Sequence, residues 1–576
     1  MPTTSYSSIK APSSSFTNHP TPQPAGSSYI NTNSPIPDDS NRTEEPINSS
    51  RQDTPEEPPQ KDQYGHFHGS ASGFVFLQFA KDRLARLPSM SLNFSDYPLT
   101  YSGKLPGILP PKSIADNLIR NYFDFGIATS RFVHEPSLFA SYKLLYSNLE
   151  CQEPCQDDLA LVYMVMATGS HYSITNTIFL GFSASVRFFD MAQIELQKES
   201  SKITLSSLQA RLLVIHYLLN HSRMHDAWSS FGIVVRHAQA LGLHRRSMAP
   251  CTNYIDHEYR KRLFWCIYSY DRILSSIFGR PCALHDDDID QEECALADDD
   301  DITVSSCRAR GDVSFCSAAA LIHHSRLTRL LGWVLREFYS PMRRRHSLRS
   351  LQSTALELET SLKNWQDSLP VYLNYMTLPP SAMSIMIQRQ MCMLKLTFAH
   401  TTLLLYRPFI LYSIRANARI PSELQQWFQH CGEKSVEAAN MVVSECRYLF
   451  ERGLFSRIFW LVNYAQFAAV GTLYMYSYLW PTSPGIRDVA DEAMAEFPVG
   501  VKGDLVGQRY LEILKELQEV TANFNIPGIE RGTMEGSDIT SMDDLSIFDD
   551  TLMNYGDPWG VALLDTTVIN EYFGGD

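Results

Sequence analysis

The sequence predicts an all-α protein: a large multi-helix regulatory body between a disordered N-terminal tail and an acidic C-terminal tail. Three observations lead there. Apolar residues recur at three- and four-residue intervals through the middle of the chain, the period of a helix that buries one face. No segment of comparable length alternates apolar with polar residues as a half-buried strand does. At the start of the chain large apolar residues are scarce, so little offsets the entropy of ordering it.

In chain order, residues 1–62 are rich in Ser, Thr, Pro, Asn and Gln and are expected to be disordered. Residues 63–111 form a connector, with aromatics, glycines and a short amphipathic run after Tyr64 and a Pro/Gly-punctuated stretch from Pro98 to Pro111. The helical body is placed at 112–525. Within it, Leu208, Leu212, Ile215, Leu218 and Leu219 mark one face of a helix over Ser206–Leu219. Phe231, Val234, Val235, Ala238 and Leu241 do the same for Trp228–Leu241, and Gly242 follows where helices commonly stop in a left-handed conformation. Leu263, Ile267, Tyr270, Leu274 and Ile277 mark a third helix over Tyr259–Phe278. It is stopped by Gly279, Arg280 and Pro281, a permissive glycine and a proline that cannot continue a helix. Acidic loops follow at Asp286–Asp290 and Asp298–Asp301. Further helices are expected over Ala318–Phe338, Leu351–Ser368, Met386–Tyr406, Glu433–Phe450, Ile458–Leu479 and Gln508–Ala522. The stretch Ile458–Trp480 is uncharged over about the length of a membrane span. It holds Asn463, Gln466 and Gly471 and lacks basic flanks, so a buried core helix is expected instead. Residues 536–576 mix acidic residues with bulky ones such as Phe548, Trp559 and Phe573. That pattern suits either a solvated tail or a segment that docks into a partner's groove.

Charge and chemistry narrow the function classes. The formal net charge of −14 repels phosphate backbones at long range, so nucleic-acid binding would need a concentrated basic face. The one basic cluster is Arg343-Arg344-Arg345-His346 with Arg349 nearby, read as an import signal, a phosphate-contacting patch or a solvated loop. The 11 cysteines are scattered, and no basic-then-apolar leader opens the sequence, so reduced core thiols in an intracellular protein are expected. No G-x-x-x-x-G-K-[ST] loop, G-x-S-x-G elbow or H-E-x-x-H pair occurs, and no enzyme activity is expected. His221 and His225 stand at helical i, i+4 spacing and would offer two metal ligands on one face, without a visible third.

The middle of the chain spells an ordered set of short motifs. Ala240–Arg246 reads ALGLHRR, with Gly242 and His244 in its turn. Glu258, Arg260, Lys261, Arg262, Phe264 and Trp265 follow, then Tyr270-Asp271-Arg272, Gly279-Arg280-Pro281 and the run Asp286–Asp290, with Asp288 and Asp290. Upstream lies YFDFGIATSRFVHEPSLF (Tyr122–Phe139) and downstream HTTLLLYRPFI (His400–Ile410). In order and spacing this resembles the fungal-specific transcription factor domain, the middle homology region of zinc-cluster transcription regulators. Lys261 stands where the pattern has arginine, and Tyr270 where it has leucine. The resemblance covers roughly Tyr122 to Trp480 and implies a nuclear regulator of RNA polymerase II transcription with metabolic target genes. Its implied partners are transcription machinery or regulatory proteins, with homo- or heterodimers among relatives and no membrane.

Arginines at the start of a helix oppose its dipole, so Arg260 and Arg262 are expected to reach elsewhere, to Asp271 or the Asp286–Asp290 loop. Phe264 and Trp265 supply core area. The motif set is therefore expected to be architectural rather than catalytic. The family's zinc cluster, six cysteines in two C-x2-C-x6-C blocks, has no counterpart in this sequence, which contains no C-x2-C pair; Cys151 and Cys155 are spaced C-x3-C. No zinc or other cofactor is expected in this chain, and DNA contact only where a zinc-cluster module is supplied. A body-only interaction protein, such as a corepressor, and a small-molecule-binding helical protein are the alternatives. The latter predicts an enclosed cavity lined by convergent polar groups.

Overall fold

A computed structural model of the chain describes residues 67–77 apart from 74, and residues 109–523 apart from 127, 148–157, 173–180, 200–202, 247–250, 312–314, 341–346, 377–382, 416–419, 453–459, 482, 484 and 502–503. Both tails, the cysteines at 151 and 155, and the basic cluster at 343–346 lie outside the described residues.

Among the described residues there are fourteen α-helices and no strand, only an isolated bridge between Ile302 and Cys307. They are α1 (Lys112–Phe125), α2 (Glu135–Ser147), α3 (Leu159–Ser170), α4 (Gly181–Lys198), α5 (Leu205–Asn220), α6 (Met224–Ala240) and α7 (Tyr254–Phe278). After the acidic loops come α8 (Ala319–Phe338), α9 (Leu348–Asp367), α10 (Ile385–Arg415), α11 (Gln425–Glu451), α12 (Trp460–Leu479), α13 (Ile486–Gly500) and α14 (Leu505–Asn523). The all-α expectation holds. Most packing joins elements close in sequence, as short connections favour. Helices α3, α4 and α5 pack together, α7 lies on α8, and α10, α11 and α12 pack in succession. Longer-range contacts of α8 and α1 with α10 tie the two halves into one core.

Helices α3 and α12 are buried nearly all round and come from runs that carry little amphipathic pattern. In α3 every residue from Ala160 to Gly169 is buried, and in α12 every residue from Leu461 to Ser477. A helix surrounded on all sides needs no polar face. No helix among the described residues is long and apolar enough to cross a membrane.

The expected helix Met386–Tyr406 instead runs on to Arg415, straight through Pro408. Proline lacks the N–H that would bond the carbonyl four residues back. That carbonyl belongs to Leu404, and the Tyr339 hydroxyl donates to it at 2.7 Å from the end of α8. A neighbouring element thus satisfies the acceptor that the proline strands, a compensation no local pattern announces.

Residues 67–77 thread into the body. Phe76 and Leu77 are buried, the buried Arg407 guanidinium donates to the Ala71 carbonyl at 2.7 Å, and the Gly73 amide donates to the Tyr464 hydroxyl at 3.3 Å. Where this strap crosses the end of α7, Gly69 donates its N–H to the Phe278 carbonyl at 3.0 Å. Gly279 ends α7 in the left-handed region at φ +66, and a Cβ there would lie 2.2 Å from the Gly69 carbonyl oxygen. Only two glycines permit this crossing.

Candidate functional site

The motif residues from Gly242 to Asp290 converge on α7 and the two acidic loops. Helix α7 begins at Tyr254, earlier than the motif suggests, because Asn253 caps it: its Oδ1 accepts the N–H groups of Ile255 (3.0 Å) and Asp256 (3.3 Å). Asp256 occupies the first turn, where a carboxylate suits the dipole. Glu258, Arg260 and Arg262 therefore sit inside the helix, and the expectation that they open it is corrected.

Arg262 is fully buried and reaches neither Asp271 nor the first acidic loop. Its Nη2 donates to the Ala297 carbonyl at 2.5 Å, and its Nη1 to the Tyr259 hydroxyl (3.0 Å) and to Asp299 Oδ1 (3.1 Å). Its Nε lies 3.6 Å from Glu258, which also holds Lys261 at 2.9 Å and accepts the Ala295 N–H at 2.7 Å. Burial raises the Asp299 carboxyl, but the Arg262 charge and hydrogen bonds from the Tyr259 hydroxyl and the Glu135 amide outweigh it and hold it below its ordinary value. Arg310 clamps the same loop at 2.5 Å from both Asp298 and Asp301. Arg260 instead donates to the Leu241 carbonyl at 2.5 Å, at the C-terminus of α6.

The first acidic loop takes Arg272. This buried guanidinium pairs with Asp271 at 2.5 Å and Asp286 at 3.0 Å, while Asp271 accepts the backbone N–H groups of Ala283 and Leu284. The loop's far end is held at the α6 turn. Gly242 stands at φ +68, the His244 carbonyl accepts the Asp290 N–H at 3.2 Å, and Asp290 pairs with Arg245 at 2.9 Å. Asp288 is exposed in the short turn between them. Trp265 donates its indole N–H to the Glu292 carbonyl at 2.8 Å, and Phe264 is fully buried. Pro281 offers its carbonyl to the Ser275 hydroxyl at 3.3 Å. Arg280 lies over the Trp228 and Phe278 rings and donates to the Phe67 carbonyl at 3.0 Å, which locks the strap to α7. The polar contacts of this set tie the acidic loops and the strap to α7, or brace the same side chains within α7 and within the loops.

His221 and His225 do not share a helix. Ser222, at φ 59, turns the chain between α5 and α6. His221 stacks on Tyr217 and faces His171, while His225 packs against Phe278. No group of three metal-ligand side chains occurs among the described residues.

A second feature lies behind α7. A cavity of about 70 Å³ is bounded by the Ala128–Ser130 loop, Tyr172, α5, α7, α8, α10, α11 and α12, and all its lining residues are buried except the partly exposed Met393 and Trp460. Its wall is mostly apolar, with His216, Tyr270, His324 and Arg389 among the polar members. His216 Nδ1 lies 2.9 Å from the Tyr270 hydroxyl, and burial lowers both His216 and His324 to about 4, so both rings are neutral at physiological pH. Arg389 stacks over Tyr172 at 5.0 Å; burial pulls it below its ordinary value, with Tyr172 and Cys392 opposing. The sequence signals this cavity only through an arginine inside a buried helix face and through Tyr270, where the motif departs from leucine.

A family profile described as the fungal specific transcription factor domain matches residues 119–367. The Activator of stress genes 1 of Saccharomyces cerevisiae is 28% identical over 386 residues, 64% of this chain and 38% of that protein. The Activator of stress genes protein 1 of Candida albicans is 26% identical over 64% of this chain and 40% of its own length. The Transcriptional activator protein acu-15 of Neurospora crassa is 24% identical over 61% of this chain and 38% of its own. The chain thus matches 38–40% of the length of these curated relatives. No solved structure matches it. The motif order, the helical architecture and the profile agree: residues 119–367 form a fungal specific transcription factor domain.

Proposed function

We propose that this chain is a nuclear regulator of RNA polymerase II transcription, its helical body controlling the output of an activation segment at residues 536–576. The domain match over residues 119–367 carries the reading, and the names of the relatives support it. On this reading α7 and its acidic loops are scaffold. Their arginines hold loops against helices, and no nucleophile or metal group is asked to act. DNA recognition is supplied by a zinc-cluster module, in line with the resemblance, and the partners are transcription machinery or regulatory proteins.

A tethering assay tests this. The full chain and residues 536–576 are each fused to a foreign DNA-binding domain and assayed on a basal and an activated reporter in a fungal host. A change in reporter output from the full-chain fusion is expected, with activation by the segment. An expressed, nuclear full-chain fusion that alters neither reporter refutes the reading; an inert segment alone refutes only its assignment as activator.

A further inference from the structure

Immediately before α9 the sequence reads Arg343-Arg344-Arg345-His346-Ser347-Leu348. Two arginines, any residue and then a serine or threonine follow one another in this way once in the chain, at Arg344 to Ser347. Ser347 closes that pattern and is also the N-cap of α9. It is exposed, its backbone is extended at φ −65 and ψ 154, and its hydroxyl oxygen accepts the Ser350 N–H at 3.3 Å. Leu348, the next residue, is buried and starts the face by which α9 meets the core. Arg349 is 70% exposed and pairs with Glu423 in the short turn before α11.

We propose that Ser347 is a phosphorylation site for an arginine-directed protein kinase, and that its phosphate fastens the first turn of α9. Kinases sort substrates by charge pattern: carboxylates in the substrate groove pair with arginines ahead of the acceptor, and an apolar pocket takes the residue after it. Arg344, Arg345 and Leu348 stand at those positions around Ser347. In the transfer, Ser347 Oγ attacks the γ-phosphorus of ATP and the bond from that phosphorus to the β,γ-bridging oxygen breaks. ADP leaves, and the hydroxyl proton passes to the catalytic aspartate of the kinase. The extended backbone at Ser347 already suits such a groove, whereas Leu348 has to leave the core. Reading the site therefore needs the first turn of α9 to fray, and helix ends open more readily than packed interiors. Once made, the phosphate is an anion at a helix N-terminus. There the first-turn N–H groups lack acceptors within the helix, and the dipole favours negative charge. The Ser350 N–H already points at Ser347 Oγ, and Arg349 brings a guanidinium two residues along. The site does not depend on the transcription reading, because the modification is read on purified protein.

The purified full chain is incubated with magnesium ATP and the catalytic subunit of cyclic-AMP-dependent protein kinase as the arginine-directed probe. An acid-directed casein kinase serves as the control, and tandem mass spectrometry locates the phosphate. Phosphate on Ser347 is expected from the first kinase and none there from the second. Arg344→Gln and Arg345→Gln should each slow the modification roughly tenfold or more, the loss of one charge-assisted pair with the kinase. Ser347→Asn keeps a capping side chain and should take no phosphate at this position. Hydrogen exchange of the amides at 348–352 should slow roughly threefold or more on phosphorylation of the parent, the scale of a charge at a helix terminus, and stay unchanged in kinase-treated Ser347→Asn. A parent chain that leaves Ser347 bare, or arginine variants modified there as fast as the parent, overturns the assignment of the site. Phosphorylated Ser347 with unchanged exchange overturns the fastening of α9. Should Ser347→Asn fail to fold, site mapping and exchange on the parent protein decide.

Discussion

Truncating Arg262 to alanine should be among the most damaging single changes in α7. The side chain is fully buried and joins Glu258, Tyr259, Ala297 and Asp299. Removing it does not simply delete attractions. It leaves Asp299 with the Tyr259 hydroxyl and the Glu135 amide as donors but without its countercharge, and it leaves the Ala297 carbonyl without a partner. Taking one member from a buried ion pair costs about 3–5 kcal/mol, because the remaining charge is left uncompensated, and the 20% exposure of the Asp299 side chain keeps the loss below the top of that range. Glu258 offsets part of this, since Lys261 and the Ala295 N–H still neutralise it. The expected loss is therefore roughly 4 kcal/mol. Read as a melting temperature, that is on the order of 5–10 °C for a body of this size. Urea unfolding of the purified chain, followed by circular dichroism, measures it directly. Asp299 supplies an internal check. Its folded value is held below the usual range, so its contribution is present above about pH 4, the unfolded value, and is lost as pH falls through the folded one. The gap between parent and variant should thus persist from neutral pH down to about pH 5. A variant that loses less than about 1 kcal/mol, the scale of an exposed pair, refutes the claim that this network pins the second acidic loop.

Two further outcomes follow from the geometry. Gly69→Ala should loosen the strap where it crosses the end of α7, because the new Cβ would lie 1.9 Å from the Gly279 carbonyl oxygen; Arg280→Ala should act at the same contact but more weakly, by about 1 kcal/mol for a lost hydrogen bond and ring stacking. Limited proteolysis between residues 67 and 109 reports both, and resistance equal to the parent's in Gly69→Ala contradicts the crossing. Burial lowers His216 and His324 to about 4 and His400 to about 3, so between these values and the unfolded value near 6.5 the unfolded chain binds more protons. Stability should be fully present above about pH 6.5 and fall on acidification, by up to ~4 kcal/mol per pH unit if all three titrate together. A urea midpoint constant from about pH 6.5 to 4.5 contradicts this.

Among the helices of the middle of the chain, α6 was legible because it buries one face and exposes another. The periodicity of Phe231 to Leu241 records that asymmetry; α5 is buried nearly all round, yet the spacing of its large apolar residues from Leu208 to Leu219 still places it, and both helices lie within a few residues of the expected ranges. Helix α3, buried from Ala160 to Gly169, carries no polar face to mark its period. Local signals also misled at two points. The helix expected over Met386–Tyr406 runs on through Pro408, whose stranded carbonyl Tyr339 takes up; and the i, i+4 spacing of His221 and His225 spans a turn at Ser222.

By itself the sequence determined the all-helical class, the acidic balance and the ordered motif set from Gly242 to Asp290, because periodicity, composition and stop signals are local properties. Only the tertiary structure decided which arginine meets which acidic loop: Arg272 takes Asp286 and Arg262 takes Asp299, a choice made by helix phase and loop path rather than by spacing. It alone also brought Arg389 and His216, more than 170 residues apart, to one cavity, since a void exists only where separate helices fail to fill the space between them.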